Sequence, residues 1–295
     1  YRENQLDEMV DKINASGYGL TLGMQSRIDD RIQRVCERAH VGNIYVNRNQ
    51  IGAVVGVQPF GGEGKSGTGP KAGGPFYLYR FCRAGDTIQR LPADRRQVFD
   101  DQRQSWENSA FRFDALMKFA HELGEPLADV AKQCLLNFRE FSSSPVILDG
   151  PTGEMNTIAL HPRGKLFCLG DAQGDQASLS RQMIVSLLAG NSVVLQAGDF
   201  ATRAATAIKA AGLSASLLEI AEGDSEVLLD EHRLHGVVCD ADAETLKRIR
   251  KQLAARDGAR VALLSQQDDI YRFTNERVIS IDTTAAGGNA SLLTI

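Results

Sequence analysis

The chain has 295 residues, of which 43% are hydrophobic and 24% are charged, as is ordinary for a globular protein. Its formal net charge of -4 excludes a strongly basic surface, so we expect no nucleic-acid partner through this region. The longest apolar runs have the length of a β-strand and not of a membrane-spanning helix. The length accommodates two domains at about 100–200 residues each.

The first predicted element is an amphipathic helix that ends before Gly17. Its apolar residues recur at helical spacing: Leu6, Met9, Val10 and Ile13. The first residue is Tyr1 and the helical pattern is already under way there. We therefore expect the chain to be a piece of a longer polypeptide.

A second helix is predicted from Ser26, because Ser26 and Asp29 have the spacing of a capping box. Its predicted apolar stripe consists of Ile28, Ile32, Val35 and Ala39. Gly42 follows as a stop signal, and the sequence "NIYVN" at 43–47 has the composition of a buried strand. A glycine-rich stretch, "VGVQPFGGEGKSGTGPKAGGP", occupies 55–75.

The later part of the chain alternates predicted strands with predicted helices. A polar stretch at 81–110 indicates a linker or crossing strand, and 111–141 is predicted to be helical. Strands are then predicted at 164–171, 191–199, 216–223, 235–242 and 259–266, and helices at 176–190, 201–213 and 243–256. Such alternation predicts an α/β fold with a parallel sheet and helices on both of its faces.

The motifs "GNIYVN", "QPFGG" and "KSGTG" within 42–69 together resemble the end of an aldehyde dehydrogenase catalytic domain, over about 6–80. The longer stretch "NRNQIGAVVGVQPFGGEGKSGTGPKAGGPFYLYR" is most similar to the glutamate-semialdehyde dehydrogenase module of bifunctional, proline-catabolising flavoenzymes. The resemblance implies an α/β fold in which the end of the catalytic domain precedes a degenerate, Rossmann-like parallel-sheet domain with a C-terminal β-flap.

The resemblance implies three substrate-binding residues: Gly52, Ala53 and Phe60. The backbone N–H groups of Gly52 and Ala53 would receive the substrate carboxylate, and Phe60 would pack on its aliphatic chain. Small residues suit this role because they let a backbone approach an anion closely. A merely structural turn is the commoner use of glycine-rich segments. The matched motif favours the binding role for these three residues, but it assigns none to Lys65, Ser66 or Lys71.

The chemistry of aldehyde oxidation is predicted to lie outside this chain. A cysteine nucleophile and a carboxylate base are required, and in the resembled family both precede the "QPFGG" motif. The cysteines are odd in number, scattered and without a Cys-x-x-Cys pair: Cys36, Cys82, Cys134, Cys168 and Cys239. This predicts reduced thiols and no metal site, with Cys36, Cys168 and Cys239 as small core residues. We expect no catalytic residue here, and an inactive isolated chain.

The second α/β region resembles a degenerate copy of the family's nucleotide-binding pattern. Gln196 stands where the family has a lysine, and Ala241 and Asp242 replace a glycine and a serine of the phosphate turn, respectively. Carboxylates at Asp240 and Asp242 would fill or repel a pyrophosphate site at a helix N-terminus, although helix capping is the simpler reason for them. We therefore predict no cofactor-binding residue in this chain.

The last residues, "VISIDTTAAGGNASLLTI" at 278–295, resemble the family's conserved C-terminal segment. The resemblance implies a β-flap that covers the dehydrogenase site and closes an internal tunnel. Edge packing is the alternative for the apolar tail, Leu292, Leu293 and Ile295.

The predicted domains are the aldehyde dehydrogenase part at 1–80, a linker at 81–110, a non-catalytic Rossmann-like domain at 111–270 and a flap at 271–295. The implied function is part of a cytoplasmic, or peripherally membrane-associated, enzyme that converts proline to glutamate through L-glutamate γ-semialdehyde. NAD and FAD would be held by upstream domains of the same polypeptide, and a homo-oligomer is expected. The alternative is a structural or oligomerisation module of another protein of the aldehyde dehydrogenase superfamily, without NAD binding in its second domain.

Overall fold

The computed structural model describes residues 3–67, 69–81, 105–171, 175–230 and 233–284, which form two compact units. The first unit contains the described residues up to 81, Pro145–Leu160 and those from Asn275 onward. The second contains the described residues from 105 to Ser144 and His161–Thr274. Within these ranges, no helix is both long enough and apolar enough to cross a membrane.

The described helices and strands are numbered in chain order. The α-helices are α1 (Leu6–Ala15), α2 (Asp29–Arg38), α3 (Ser109–Glu122), α4 (Leu127–Asn137), α5 (Gln176–Leu188), α6 (Asp199–Ala210), α7 (Ser225–Leu228) and α8 (Ala243–Ala255). The strands are β1 (Tyr18–Gly19), β2 (Thr21–Met24), β3 (Asn43–Val46), β4 (Glu63–Gly64), β5 (Val146–Leu148), β6 (Glu154–Pro162), β7 (Lys165–Asp171), β8 (Ser192–Gln196), β9 (Leu218–Ala221), β10 (Gly236–Asp240), β11 (Ala262–Leu264) and β12 (Thr274–Asp282).

The first unit is built on a five-stranded sheet in the order β2-β3-β12-β6-β5. Strand β3 pairs in parallel with β2 and β12, whereas β5 and β6 form an antiparallel pair. Helices α1 and α2 contribute Leu6, Val10, Ile32 and Val35 to a core that also contains Ile44 of β3. The short strands β1 and β4 form a separate antiparallel pair.

The predicted capping box at the start of α2 is wrong. The helix begins at Asp29, and its N-cap residue, Ile28, provides no side-chain cap. Ser26 instead exchanges two hydrogen bonds with the Asn47 side chain, at 2.9 and 2.8 Å, and is thereby tied to the end of β3. Ile28 is 51% exposed and is therefore not part of the buried face of α2, whereas Cys36 is part of that face.

The second unit contains the predicted parallel sheet, in the order β11-β10-β7-β8-β9. Successive strand residues face opposite sides. Phe167 of β7 packs in a cluster with Ile249 and Leu253 of α8, while the neighbouring Cys168 contacts Ser186 of α5, with Sγ and Oγ 3.8 Å apart. Helices therefore cover both faces, and the prediction of a Rossmann-like α/β unit is confirmed.

The two units divide the chain differently from the predicted domain boundaries. Strand β5, most of β6 and most of β12 belong to the first unit, so segments of the second unit interrupt the chain between strands of the first unit's sheet. The start of the predicted β-flap is β12, which lies between β3 and β6 inside that sheet. Most of the predicted linker, including Cys82, and the apolar tail at 285–295 lie outside the described residues.

Candidate functional site

The three predicted substrate-binding residues lie on one connection, which leaves β3 and reaches β4. We call its residues 51–62 the 51–62 loop. Gly52 and Ala53 are exposed, and Phe60 is partly buried. Gly52 has a φ of +81°, a conformation that side chains with a Cβ rarely adopt, although nothing lies within 4 Å of its Cβ position. Glycine is needed here for its backbone angle and not for space.

The backbone N–H groups of Gly52 and Ala53 have no acceptor among the described residues. The flanking N–H groups are both occupied: that of Ile51 donates to Asn49 Oδ1 at 3.1 Å, and that of Val54 donates to Gln58 Oε1 at 3.0 Å. Two adjacent, exposed N–H groups are thus left at the tip of the loop. Such a pair can receive a carboxylate without moving any side chain.

Glu154 of β6 holds the two ends of the segment that contains these N–H groups. Its carboxylate pairs with Arg48 at 2.5 Å and accepts a hydrogen bond from Gln58, and Asn156 donates to it at 2.9 Å. The Arg48 guanidinium also lies over the Tyr45 ring, 5.2 Å from its centroid. The loop tip is therefore exposed, but both of its ends are fixed to the sheet.

A second set of contacts fixes the backbone around Phe60. The N–H and C=O of Phe60 bond to Ala72 at 3.0 and 2.9 Å. Asn43 of β3 donates to Pro59 O at 2.9 Å and accepts the Gly61 N–H at 3.1 Å. The ammonium group of Lys71 donates to Gly61 O and, at 3.1 Å, to Asn43 Oδ1. Each residue from Pro59 to Gly61 therefore has at least one backbone group in a hydrogen bond with another part of the first unit.

Lys71 is one of the two lysines to which the sequence motif assigned no role, and only 2% of it is exposed. Its backbone N–H donates to Glu276 at 2.6 Å. Burial lowers the pKa of Lys71 from 10.5 to about 8, and the nearby carboxylates of Glu276 and Glu63 partly oppose that shift. Glu63 is itself paired with the buried guanidinium of Arg277 of β12, at 3.1 and 3.3 Å. Lys65, by contrast, is exposed.

The described cysteines occupy core positions, as predicted for Cys36, Cys168 and Cys239. Cys134 is also buried. Burial raises the pKa of the Cys36, Cys134 and Cys168 thiols to about 12, which disfavours the thiolate that a nucleophile requires.

The second unit has the point at which a Rossmann-like sheet usually binds its ligand, between β7 and β10. Asp240, at the carboxyl end of β10, lies there. Its carboxylate accepts hydrogen bonds from Gln182 Nε2 at 2.9 Å, from the Gln266 N–H at 3.1 Å and from the Ser265 hydroxyl. Groups of the unit itself therefore already bind the Asp240 carboxylate.

The helix N-termini beside the crevice are capped by carboxylates. Asp242 accepts the N–H groups of Glu244 and Thr245 at 3.0 and 2.9 Å, and the bonds from Thr245 lower the pKa of Asp242. Asp175 caps α5 in the same manner. Gln196 donates to Gly223 O at 2.8 Å. The described residues therefore do not fit a dinucleotide pyrophosphate, which would need those N–H groups and would meet negative charge.

The buried ammonium gives a testable pH dependence. Between pH 8 and pH 10.5 the unfolded Lys71 keeps its proton and the folded one has released it, so its contribution to the free energy of unfolding rises with pH. The rise is at most about 1.4 kcal/mol per pH unit. The difference in unfolding free energy between the parent chain and Lys71→Met, measured by urea titration, should increase across this interval.

Lys65→Met is the matched control, because it removes an exposed lysine from the same segment. Comparing the two variants isolates the burial of Lys71, because each variant loses one lysine from the same segment. Parallel pH dependences for the parent and Lys71→Met would contradict a buried, titrating ammonium group.

Comparison with known proteins shows what the two parts of this chain are similar to. Residues 1–85 match the model of the aldehyde dehydrogenase family. The bifunctional protein PutA of Escherichia coli strain K12 is 38% identical over 312 aligned residues, which cover 100% of this chain and 22% of that protein. The 1-pyrroline-5-carboxylate dehydrogenase of Bacillus subtilis is 44% identical over 88 residues, or 30% of this chain and 17% of that enzyme.

The solved structure of proline utilization A (PutA) from Corynebacterium freiburgense matches 94% of this chain and 24% of its own chain, with a TM-score of 0.51 and 19% identity. That likeness supports the fold alone. The chain spans about a fifth of the length of its PutA relative, at 22%. Matched along its whole length, the chain fits the C-terminal part of a PutA protein, and its residues 1–85 match the aldehyde dehydrogenase family.

Proposed function

We propose that this chain supplies the aldehyde-binding loop of an L-glutamate γ-semialdehyde dehydrogenase, within a bifunctional polypeptide that oxidises proline to glutamate. The observation that carries the proposal is the pair of exposed N–H groups at Gly52 and Ala53, on the same loop as Phe60. The similarity to PutA and to 1-pyrroline-5-carboxylate dehydrogenase supports the choice of substrate.

The substrate has two features that this loop can recognise. Its carboxylate would accept hydrogen bonds from the Gly52 and Ala53 N–H groups, which cost no side-chain entropy to orient. Its methylene groups would pack on the ring of Phe60. The loop tip also exposes large apolar side chains, with Ile51 83% and Val55 82% exposed. Large apolar side chains exposed together on a surface are typical of a surface that another part of a protein covers.

The remaining machinery belongs, in this proposal, to upstream domains of the same polypeptide. They would supply the cysteine nucleophile and the carboxylate base, and they would hold NAD and FAD. NAD supplies the hydride acceptor for aldehyde oxidation when it is bound. The burial of the described cysteines and the carboxylate caps at the N-termini of α5 and α8 support this division of labour.

We assign the second unit a structural role. Its longer segment, His161–Thr274, is the part of the chain that leads from β6 to β12, two strands of the loop-bearing sheet. The predicted linker at 81–110, the lid role of the tail at 285–295, homo-oligomer formation and a cytoplasmic location remain parts of the same proposal.

The role of Phe60 can be measured in the intact polypeptide. Phe60→Ala should raise KM for glutamate semialdehyde and lower kcat/KM by roughly 10- to 100-fold. The reason is that loss of the contact between the aromatic ring and the substrate costs about 1–3 kcal/mol. Steady-state formation of NADH reports both parameters. The matched control is Phe81→Ala, which removes a 76% exposed phenylalanine of the same unit and should leave them unchanged. Parent-like kinetics for Phe60→Ala would remove this residue from the pocket.

The assignment of the second unit can be tested by titrating NAD into the 295-residue chain in a calorimeter. We expect no saturable heat in the micromolar range, since carboxylates cap the helix N-termini at the crevice. A micromolar dissociation constant would contradict a purely structural second unit.

A further inference from the structure

The peptide groups around Phe60 are held by side chains from elsewhere in the first unit. Pro59 O receives a hydrogen bond from Asn43 Nδ2, the Gly61 N–H donates to Asn43 Oδ1, and Gly61 O receives one from Lys71. One asparagine and one lysine therefore fix the carbonyl before Phe60 and both polar groups of the residue after it.

The two side chains act as a pair, because Lys71 Nζ also donates to Asn43 Oδ1 at 3.1 Å. We call this arrangement the Asn43–Lys71 clamp. Asn43 has no exposed surface and Lys71 only 2%. Hydrogen bonds between buried polar groups favour one arrangement, since displacing a group leaves its buried partner unsatisfied.

The space for the clamp depends on Gly42, the residue before Asn43. A Cβ at Gly42 would overlap Gly61 O and would stand 2.7 Å from Lys71 Nζ. The backbone of Gly42 can therefore lie directly against the point where the ammonium meets the loop. The backbone N–H of Lys71 is in turn bound by Glu276 of β12, at 2.6 Å. The clamp thus rests on two neighbouring strands of the sheet, β3 and β12.

We infer that Lys71 is a positioning residue for substrate selection: through the Asn43–Lys71 clamp it sets the orientation of Phe60 against the carbon chain of the aldehyde. The inference rests on the proposed function. Lys71 is buried beneath the loop and acts on the substrate only through Phe60. An ammonium group suits the position, because it can donate to the Gly61 carbonyl and to Asn43 Oδ1 at the same time.

A double-mutant cycle in the intact polypeptide tests the inference. In the proposed function, Phe60 contacts the substrate both before and during the reaction, so disturbing its orientation should act on binding. Lys71→Met should therefore raise KM for glutamate semialdehyde about 10-fold and change kcat by less than about 2-fold. Lys65→Met should leave both values within about 2-fold of the parent. In a Phe60→Ala background, the effect of Lys71→Met should shrink to less than about 2-fold, because the group through which it acts is gone.

Lys71→Gln serves as the conservative variant, since its amide keeps an N–H donor toward Gly61 O. It should retain a KM closer to that of the parent, and it replaces Lys71→Met in the cycle if the latter does not fold. An undiminished effect of the lysine variant in the Phe60→Ala background would overturn the inference, as would kinetics equal to those of Lys65→Met. Failure of both lysine variants to fold would also overturn it, because Lys71 would then maintain the fold as a whole.

The parent protein provides the check on the proposed function itself. If it does not oxidise glutamate semialdehyde, the proposed function is contradicted and the inference falls with it. An active parent with an additive cycle contradicts the inference alone.

Discussion

A loop rich in glycine has a large backbone entropy to lose, and its peptide groups are not paired by a regular strand or helix. The first unit meets this constraint with side chains that reach the loop from the sheet. Asn43 comes from β3, Glu154 from β6 and Glu276 from β12, and each binds the loop or its neighbouring segment. Between these points, the N–H groups of Gly52 and Ala53 keep their hydrogen-bonding capacity for a ligand. The contacts that fix the loop therefore also determine where these two N–H groups can bind a ligand.

The charges beneath the loop are arranged to limit the cost of burial. Two cations, Lys71 and Arg277, and two carboxylates, Glu63 and Glu276, lie in one region of the first unit. Glu63 and Arg277 form two hydrogen bonds to each other, and the Lys71 ammonium is bound by neutral oxygens. An isolated buried charge would be strongly destabilising, whereas this set leaves each cation with close partners. In the second unit, carboxylates instead accept hydrogen bonds from the N–H groups at helix N-termini, which a nucleotide phosphate would require.

Local patterns in the sequence predicted the parallel sheet of the second unit and the helices α5, α6 and α8, because each of these elements has its own local pattern. They did not predict α7, and they gave α3 and α4 only as one helical stretch. The "QPFGG" motif likewise identified the loop at 51–62. Contacts distant in sequence were not predictable from such patterns: Glu276 lies 205 residues from Lys71, and Glu154 lies 106 residues from Arg48. A lysine among glycines also has the appearance of a solvated charge, and nothing near it in the sequence indicates burial. The start of α2 was missed for a related reason, since Asn47 binds Ser26 across 21 residues.

In the proposed function, the backbone N–H groups of Gly52 and Ala53 bind the carboxylate of an acidic aldehyde. A crystal structure of the intact polypeptide with glutamate, the product, bound at the dehydrogenase site tests this most directly. A carboxylate oxygen should lie within about 3 Å of the Gly52 and Ala53 nitrogens, with the methylene groups against Phe60. A carboxylate bound by another part of the protein, with these two N–H groups left facing solvent, would contradict it.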